Sequence, residues 1–583
     1  MCLASGRPFT GGVISFSLFD EEGKIGLRSV ILATLSALLL LADSRVLARP
    51  TTPYEAEQAV VGWLAADARP LGTAIGRRVI MMIETFANDS GEPIYYIVHL
   101  YPAGFVIVAA DDLVEPIIGF ADHGFYNNST KSPLALLVAS DLSERVVAAR
   151  DRDRDRATMP TIPEPRGKWH RFVSLALASA DGLAAAEVQP VDDVRVAPLL
   201  QSKWGQGDVC GQDCFNYYTP NHYYCGCVAT AMAQLMRYHQ YPLTGIGVRN
   251  FTVQVEGHSQ IASTRGGNGV GGPYDWRDMV LVPDCKTTEI QRQAIGALCY
   301  DASILVDVDY GPDGSSGDML KAKEALLTVF KYTNAVNGYN NQNNIGSGLI
   351  GMINPNLDYS SPVILGLFHI GQGHAVVCDG YGYSASTLYH HLNMGWGGAD
   401  DAWYNLPDVE AHYRYTSVIV CVYNIFASGS GEIISGRVTN ASGTPISGVT
   451  VTAKGSGGPY TATTNTKGIY ALAHIPAVST YALSAAKQGY QFADQTVRTG
   501  SSRDGQSRSG NRWPIDFVGN LAGDCDGDDD VDAADFAVFA SAWLTEPGDI
   551  GWNPCCDIAG PADYFVDALD LTIFVDNWLA GVE

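Results

Sequence analysis

Two residues that lie far apart in the sequence, Cys227 and His374, have types and a spacing that suit acyl-transfer chemistry. A thiolate attacks a carbonyl carbon, and an imidazole can take the proton of the thiol. The 147 residues from one to the other fall within the roughly 130–150 that separate cysteine and histidine in one class of thiol hydrolases. The pair is therefore a candidate nucleophile and base, and the alternative for Cys227 alone is a buried structural thiol.

The residues after Cys227 predict a helix that begins at this cysteine and ends before Pro242. Apolar residues recur there at helical spacing, at Val228, Met232, Leu235 and Met236. A thiol at a helix N-terminus is more readily ionised, because the dipole and the free N–H groups favour the anion.

His374 precedes a run, Ala375 to Cys378, that is typical of a buried strand.

Three further residues, Asn393, Trp396 and Gln206, are expected to support the pair. Asn393 can accept a hydrogen bond from the imidazole, and Trp396 can shield that contact from water. Gln206 lies 21 residues before Cys227, and its amide can stabilise an oxyanion together with the N–H of Cys227.

Other residues compete for these roles. His239 at the end of the predicted helix favours packing or capping, and His390 and His391 lie on a predicted strand just before Asn393. A zinc site is an alternative use of four residues whose spacing matches no standard finger: Cys210, Cys214, His222 and Cys225.

The motifs around the pair resemble the streptopain family of papain-like cysteine peptidases. The matching segments are 226–231, 236–239, 241–242, 373–375 and 393–398. The region before them resembles that family's inhibitory propeptide, notably at residues 104–108, 111–112 and 116. The resemblance implies an α+β papain-like fold, activation of a zymogen, and endopeptidase activity on protein or peptide substrates.

Carried over by position, the resemblance makes Cys227 the nucleophile, His374 the base and Gln206 the oxyanion donor, with Asn393 and Trp396 as support. It implies no cofactor for catalysis. This chain has Met394 where the family has a tryptophan. We therefore expect a changed aromatic wall and an altered substrate preference.

The chain divides into five predicted parts. Residues 1–48 are predicted to be a secretory signal peptide, since a 13-residue apolar run follows basic residues and is too short to span a bilayer; a buried helix is the alternative. Residues 49–194 are an α+β inhibitory propeptide with an exposed, cleavable linker at about 150–165. Residues 195–427 are the peptidase domain, and a Gly/Ser hinge follows at 428–431.

The fourth part, residues 432–519, has alternating apolar residues and regular turn signals that predict a small β-sandwich. It resembles carboxypeptidase regulatory-like domains. This resemblance implies a spacer or a module that contacts carbohydrate or protein.

The last part, residues 521–583, carries 15 acidic and no basic residues, which argues against binding to nucleic acid or to an anionic membrane. Six of the acidic residues fall at positions 1, 3, 5, 7, 9 and 12 of a calcium loop: Asp524, Asp526, Asp528, Asp530, Asp532 and Asp535. Position 6 is Asp529 instead of glycine, and Gly527 is expected to make the turn two residues earlier. A merely solvated acidic tail is the alternative.

The loop and the following helix recur at an offset of 35 residues. That offset puts Ala559 and Pro561 in place of the first two ligands and keeps three: Asp563, Asp567 and Asp570. Asp557 can join through a longer loop. The duplicated loop and helix resemble a type I dockerin, which implies bound Ca²⁺ and a cohesin-type scaffold partner.

The sequence thus predicts a secreted cysteine endopeptidase made as a zymogen, with no membrane span after the signal is removed. Eleven cysteines would remain, an odd number that suits one free reactive thiol and leaves ten able to pair. Two other classes of function stay open: a catalytically inactive scaffold-bound binding protein, and a transglutaminase-like acyltransferase that uses the same cysteine and histidine.

Overall fold

The structure is a computed structural model that describes residues 49–129, 131–155, 164–180, 193–341, 343–369, 371–407, 417–559 and 563–581. The predicted signal peptide lies outside these residues. Within them, no helix is both long and apolar enough to cross a lipid bilayer.

The N-terminal region combines three helices with four antiparallel strands. The helices are α1 (Pro53–Ala66), α2 (Pro133–Asp155) and α3 (Glu164–Ala180). The strands are β1 (Val79–Ala87), β2 (Pro93–Tyr101), β3 (Phe105–Ala109) and β4 (Ile117–Ala121). Thr52 caps α1 in a reciprocal pair with Glu55, which satisfies N–H groups that the helix leaves free. The α+β character predicted for this region is present.

The central region carries four helices around a sheet. The helices are α4 (Cys227–His239), α5 (Glu289–Ile304), α6 (Lys321–Thr328) and α7 (Leu349–Asp358). The strands are β5 (Asp193–Val196), β6 (Asp208–Val209), β7 (Gln212–Asp213), β8 (Asn250–Val255), β9 (His258–Ser263), β10 (Asp309–Gly311), β11 (Gly314–Ser316), β12 (Asn334–Tyr339), β13 (Val363–His369), β14 (Gln372–Ser384), β15 (Thr387–Asn393), β16 (Ala402–Tyr404) and β17 (Val418–Phe426). Helix α4 packs on α5 and on β14, and its apolar face lies in the largest core.

The N-terminal and central regions share one sheet. Its strand order is β1-β2-β3-β4-β16-β15-β14-β13-β17-β12, with β5 paired to β14 outside this path. Strands β4 and β16 join the two regions, with Phe120 opposite Trp403 and Gly119 opposite Tyr404. Apolar side chains of both regions form a single core at this junction. The predicted propeptide is thus an extension of the catalytic sheet.

The predicted linker at 150–165 is wrong over its described part. Helix α2 continues to Asp155, and Arg150 makes ion pairs with Asp111 at 2.7 Å and with Glu92 at 2.8 Å. Helix α3, which starts at Glu164, packs against α1. The alternating Arg and Asp residues from Arg150 onward, which indicated a loop, form the last turns of a helix instead. Residues 156–163 and 181–192 lie outside the described part of the chain.

Residues 432–521 form two facing four-stranded sheets, as predicted for a β-sandwich. Their strands are β18 (Glu432–Thr439), β19 (Thr450–Gly455), β20 (Tyr460–Thr463), β21 (Ile469–Ile475), β22 (Thr480–Ala486), β23 (Tyr490–Phe492), β24 (Gln495–Arg498) and β25 (Phe517–Leu521). One sheet has the order β21-β18-β25-β23 and the other β20-β19-β22-β24. The alternating Val449, Val451 and Ala453 are all buried.

The predicted hinge at 428–431 does not separate the sandwich from the central region. Asn424 and Asn511 exchange side-chain hydrogen bonds of 3.2 and 3.0 Å in a buried contact. Asp358, at the end of α7, accepts from Tyr381 of β14 and from Ser435 of β18, each over 2.7 Å. The Gly/Ser composition of 428–431 carries no information about these contacts between distant residues.

The tail contains two short helices, α8 (Ala533–Ser541) and α9 (Ala568–Asp576), each preceded by an acidic loop. Phe539 and Phe574 pack against each other between the helices, with ring centroids 5.0 Å apart and ring planes inclined by 35°. The two repeats share one small core, and the repeated loop and helix indicated by the 35-residue offset are both present.

Candidate active site

Cys227 is the first residue of α4, as predicted. Gly226 precedes it with a φ of +90°, a backbone conformation that residues other than glycine rarely adopt. The Gly226 carbonyl accepts from the Thr230 N–H at 3.1 Å and from the Thr230 hydroxyl at the same distance. The thiol is half-buried at the end of the helix where N–H groups remain free.

His374 lies near the start of β14, beside the hairpin that joins β13 to β14. Leu367 is its partner across the hairpin. Its Nε2 donates to the Met394 carbonyl over 2.9 Å. Because a carbonyl only accepts, Nε2 carries a proton, and Nδ1 remains for exchange with the thiol. The Trp396 ring lies edge-on to the imidazole, with centroids 6.5 Å apart.

Cys227 and His374 shift each other's pKa in opposite directions. Burial raises the pKa of the Cys227 thiol, but the charge of His374, a hydrogen bond to it, and the N–H groups of Ala375 and Val228 bring the net pKa below its usual range. Burial lowers the pKa of His374, whereas the charge of Cys227 and a hydrogen bond to it raise the net pKa. These shifts favour a thiolate beside an imidazolium.

The predicted contact between Asn393 and His374 is wrong. The Asn393 amide oxygen accepts from Gln234 over 2.8 Å and from the Gly395 N–H over 3.1 Å, and its NH₂ donates to the Ser202 carbonyl over 3.0 Å. The β14–β15 register sets Asn393 opposite Val377, three residues beyond His374. Met394, the residue after β15, reaches the imidazole instead.

The segment that carries Gln206 lies between the helix start and the glycine-rich loop after Trp396. The Gln206 carbonyl accepts from the Cys225 N–H over 2.9 Å, and the Trp204 carbonyl accepts from the Gly397 N–H over 3.0 Å. The Gln206 side chain is half-buried. The structure therefore brings Gln206, Cys227, His374 and Trp396 into one neighbourhood.

Two residues that the sequence did not single out hold this site together. Gln234, buried on α4, links Asn393 to Ser202, whose hydroxyl donates to it over 2.8 Å. Asp401, also buried, accepts from the Met394 N–H over 2.8 Å and pairs with Lys203 at 2.6 Å. A glutamine among the apolar positions of a helix, and two consecutive aspartates after a glycine loop, are the signals that could have identified them.

Met394 is fully buried, so its side chain lies inside the protein. Its contribution to the site is the backbone carbonyl on His374. The substitution of a tryptophan by Met394 was expected to change the aromatic wall of the site. In this structure the Met394 side chain is instead an interior residue.

The competing histidines have other partners. Burial lowers the pKa of His239 to about 4 and that of His390 to about 3, so both are neutral near pH 7. His239 contacts the Tyr332 hydroxyl at 3.1 Å, and His390 contacts Asn354 at 2.8 Å. His391 contacts Asp379 at 2.6 Å. Their positions support His374 as the base.

Cys210 forms a disulfide with Cys285, which removes it from the zinc set considered above. Nine cysteines of the described chain are free in this structure, and several of them are deeply buried. The expectation that ten cysteines can pair is therefore not reflected in the structure, because most of these thiols serve as small apolar core residues.

The N-terminal region covers both sides of the site. Ser140 on α2 donates to the Phe368 carbonyl over 3.0 Å, next to the strand partner of His374. Ser132 donates to Asp400 over 2.7 Å, and His123 contacts the Gly398 carbonyl at 3.1 Å in the loop after Trp396. These contacts lie on the two segments that flank His374 and Trp396.

The first acidic loop of the tail gathers its carboxylates without a positive side chain among them. Asp524, Asp526 and Asp528 form one group of closely spaced oxygens, and Asp528, Asp530 and Asp535 form another. One Asp530 oxygen is buried and lacks a hydrogen-bond partner. These donors fit a calcium ion, which prefers oxygen ligands.

The turn of this loop differs from the expectation. Gly527 has a φ of +88°, but Asp529 at position 6 also adopts a positive φ, of +72°. Aspartate tolerates this conformation better than most residues. Asp529 therefore makes the turn that glycine usually makes, and Gly527 adds to it.

The second loop matches the first more fully than a constant offset of 35 indicates. Asp535 accepts from the N–H groups of Cys525 and Asp526, and Asp570 accepts from those of Ile558 and Ala559. Ala559 thus corresponds to Asp526, and Asp557 takes the place given to Ala559 by the offset. Pro561 lies outside the described residues.

Asp557 confirms this correspondence by its own contacts. It accepts from the Tyr564 N–H over 3.1 Å, as Asp524 does from Asp529. Tyr564 has a positive φ of +63°. One oxygen of Asp557 is buried and lacks a hydrogen-bond partner. Two inserted residues explain the change of offset within the loop.

Comparison with known proteins identifies three families along the chain. Residues 204–404 match the Peptidase C10 family, residues 48–146 match the Spi protease inhibitor family, and residues 433–506 match the carboxypeptidase regulatory-like domain. The protein thus contains a papain-like cysteine protease domain of the C10 type, a Spi inhibitor-like propeptide region before it and a regulatory-like β-sandwich behind it.

The chain is also similar to individual proteins. The chain is 27% identical to streptopain from Streptococcus pyogenes over 321 residues, which cover 53% of this chain and 73% of streptopain. It is 25% identical to the thiol protease/hemagglutinin PrtT from Porphyromonas gingivalis over 387 residues, 62% of this chain and 39% of PrtT. A prointerpain A fragment from Prevotella intermedia is 22% identical, with 59% of this chain and 98% of the fragment covered and a TM-score of 0.43.

Proposed function

We propose that this protein is the precursor of an exported cysteine endopeptidase in which Cys227 acts as a thiolate and His374 as its acid–base partner. The observation that carries the proposal is the hydrogen bond between Cys227, the first residue of α4, and His374, whose Nε2 is held by the Met394 carbonyl. The opposed pKa shifts of the two side chains agree with it. No metal or organic cofactor takes part in the proposed reaction.

In this mechanism the Cys227 thiolate attacks the carbonyl carbon of the scissile peptide. The resulting oxyanion is stabilised by the Cys227 N–H and the Gln206 amide. The tetrahedral intermediate collapses, the C–N bond breaks, and the proton on His374 Nδ1 passes to the leaving amine. Water then attacks the thioester with His374 as base, which releases the acid and restores the thiol proton to the pair.

The N-terminal region is proposed to hold the enzyme inactive until the chain is cut between residues 156 and 192. The cover that Ser132, Ser140 and His123 provide over both sides of the site supports this role. The site lies in a sheet continuous with the propeptide, so removal of that region also frees one side of the catalytic sheet.

The tail is proposed to be a dockerin-like module that binds Ca²⁺ and attaches the enzyme to a cohesin-type scaffold protein. Two loop–helix repeats with matching hydrogen bonds and unpartnered buried carboxylate oxygens support it. When bound, Ca²⁺ would supply positive charge that brings the carboxylates together. The first loop would hold one ion through Asp524, Asp526, Asp528, Asp530, Asp532 and Asp535. The second loop would hold another through Asp557, Asp563, Asp567 and Asp570.

The test is hydrolysis of casein by the purified full-length protein, with and without a thiol-alkylating reagent. We expect fragments after loss of the propeptide, none after alkylation, and an uncut, inactive precursor for Cys227→Ala and for His374→Ala. Cys225→Ala, two residues before the nucleophile, is the matched thiol control and should process normally.

Proteolysis by Cys227→Ala would contradict the assignment of the nucleophile. Covalent cross-links between casein chains in place of fragments would favour the transglutaminase-like alternative. Binding without either reaction, in a correctly folded protein, would favour the inactive binding protein.

A further inference from the structure

Two cysteines of the tail meet across its two repeats. The sulfur atoms of Cys525 and Cys556 lie 3.5 Å apart, although the residues are 31 positions apart in the sequence. Cys525 directly follows Asp524 in the first acidic loop, and Cys556 directly precedes Asp557 in the second. The pair therefore connects the places where both loops begin.

The packing of the repeats does not require these thiols. By the hydrogen bonds to Asp535 and Asp570, Cys525 corresponds to Ile558 of the second repeat. By the same correspondence Cys556 matches Gly523 of the first. The two cysteines thus occupy non-equivalent positions, at which the other repeat has an apolar residue or a glycine, and yet their side chains converge.

The backbones around the pair are held by hydrogen bonds. The Cys525 N–H donates to Asp535 over 2.7 Å, and the Cys556 N–H donates to the Asn553 carbonyl over 3.0 Å. Cys556 is fully buried in the core of the tail, and Cys525 is half-buried against it. A disulfide needs a sulfur separation of about 2.05 Å, so the sulfurs must approach by about 1.5 Å.

We propose that Cys525 and Cys556 form a disulfide that joins the two loops and keeps the tail folded when no cation is bound. The oxidant is a disulfide donor of the export compartment. The Cys525 thiolate attacks one donor sulfur and releases one donor thiol. The Cys556 thiolate then attacks the Cys525 sulfur of the mixed disulfide and releases the second. Two protons and two electrons leave the pair, and the donor disulfide is reduced to two thiols.

The half-exposed Cys525 is the residue that an external donor can reach, and the buried Cys556 is placed to resolve the mixed disulfide. The link restricts the unfolded tail, since it closes a loop with a sequence separation of 31. Such a loop shifts the unfolding equilibrium by on the order of 100-fold. This property is independent of proteolysis, and it needs the proposed export only as a source of oxidant.

The experiment uses full-length Cys227→Ala protein, which cannot process itself, incubated with oxidised glutathione. Free thiols are then alkylated, and the disulfide-linked peptides are mapped by mass spectrometry without reduction. We expect one peptide pair that links Cys525 to Cys556, alongside the pair that links Cys210 to Cys285. Cys555→Ser, next to the proposed pair, is the control and should leave the link intact.

Alkylation of both Cys525 and Cys556 under conditions that preserve the Cys210–Cys285 link would overturn the proposal, as would a link from Cys525 to Cys555. The second readout is cleavage of the tail by an added protease in chelator. Oxidised protein should be cut on the order of 100-fold more slowly than the same protein carrying Cys525→Ala. Equal rates in the two proteins would contradict the role of the link in keeping the tail folded.

Discussion

The Gln234 amide donates to the Asn393 amide oxygen over 2.8 Å, so the helix of the nucleophile is tied to the strand that ends beside the base. Gln234 also accepts from Ser202, and Asn393 donates to the Ser202 carbonyl. Asn393 is therefore a positioning residue that connects three segments. Its side-chain hydrogen bonds go to Gln234, Ser202 and Gly395, whereas the imidazole of His374 bonds to the Met394 carbonyl.

The first prediction concerns this network. Gln234→Ala should destabilise the precursor by about 1–3 kcal/mol, since it leaves the buried Asn393 amide partly unsatisfied. Combined with Asn393→Ala, the loss should be clearly less than additive. Denaturant unfolding in the Cys227→Ala background measures both effects, and Gln201→Ala is an exposed control. Fully additive losses would show that the two amides act independently.

The second prediction concerns the ionisation of the nucleophile. Burial raises the pKa of the Cys227 thiol and His374 more than offsets it, so His374→Ala should raise the net pKa. The rate of alkylation by iodoacetamide should therefore fall in neutral solution and recover as the pH rises towards 9 and above. The measurement is the pH profile of alkylation after an added protease has removed the propeptide from both proteins, since His374→Ala cannot process itself. Superimposable profiles for the two proteins would exclude the ion pair.

The third prediction concerns the hold of the propeptide. Arg145 on α2 donates to both oxygens of the Asn405 residue, at 2.6 and 2.8 Å, and pairs with the buried Asp141, which also accepts from Tyr404. Arg145→Ala removes this ion pair with the buried Asp141 as well as both bonds to Asn405, and breaking a buried pair typically costs about 3–5 kcal/mol.

We expect this variant to convert to the mature form faster than the unsubstituted precursor, in a time course followed by gel electrophoresis. Arg152→Ala is the matched control, since Arg152 is exposed and donates to the carbonyl of Ala148 in its own helix. An unchanged rate for Arg145→Ala would mean that the hold lies elsewhere.

The fourth prediction concerns the contact between the sandwich and the peptidase domain. Burial raises the pKa of Asp358 to about 7, against the opposing effect of its bonds to Tyr381 and Ser435. An acid whose pKa is raised on folding contributes stability below its unfolded pKa, and that contribution is lost as the pH rises through the folded pKa.

The free energy of unfolding should therefore decrease between about pH 4 and about pH 7, by on the order of 1 kcal/mol per pH unit at most. Asp358→Asn, which cannot ionise, should flatten this slope. Denaturant unfolding over that pH range tests it, and an equal slope in both proteins would remove Asp358 as the source.

The fifth prediction concerns calcium. Asp528 and Asp563 occupy the same position in the two loops, so Asp528→Ala and Asp563→Ala form a matched pair. We expect calorimetric titration to show two sites, with the first binding about tenfold or more tightly because it has more carboxylates. Each substitution should weaken its own site, and Asp576→Ala, on the exposed face of α9, should weaken neither.

Chelation should loosen the reduced tail and leave hydrolysis of casein unchanged, because the proposed chemistry uses no metal. If the calorimetric titration showed no heat on adding calcium, the dockerin hypothesis would be contradicted. Loss of proteolysis in chelator would show a coupling between the tail and the catalytic domain.

Local patterns predicted much of this fold. The spacing of Val228, Met232 and Leu235 gave the helix that begins at Cys227, and the alternation of Val449, Val451 and Ala453 gave the sandwich. Such patterns predict local structure because the buried face of a helix or strand carries apolar residues at the repeat of that element, about 3.6 residues in a helix and two in a strand. The buried strand predicted for Ala375 to Cys378 is present in the same way, and in the structure it is longer and includes His374.

The errors concern contacts between distant residues. The partner of His374 depends on the register of β14 against β15, which no local pattern encodes. The supposed hinge is bridged by Asn424 and Asn511, 87 positions apart. The correspondence of Asp557 with Asp524 required the hydrogen bonds of both loops, because two inserted residues break the repeat that the sequence displays.

The pairing of β4 with β16 has a consequence for the life of the mature enzyme. If the N-terminal region is removed as proposed, β16 would become an edge strand with open N–H and C=O groups, and Trp403 and Tyr389 would lose part of their apolar cover. An open edge with aromatic residues is a template for another extended chain. On the proposed activation, the released propeptide would be able to pair with that edge again, and mature molecules at high concentration would be able to self-associate there.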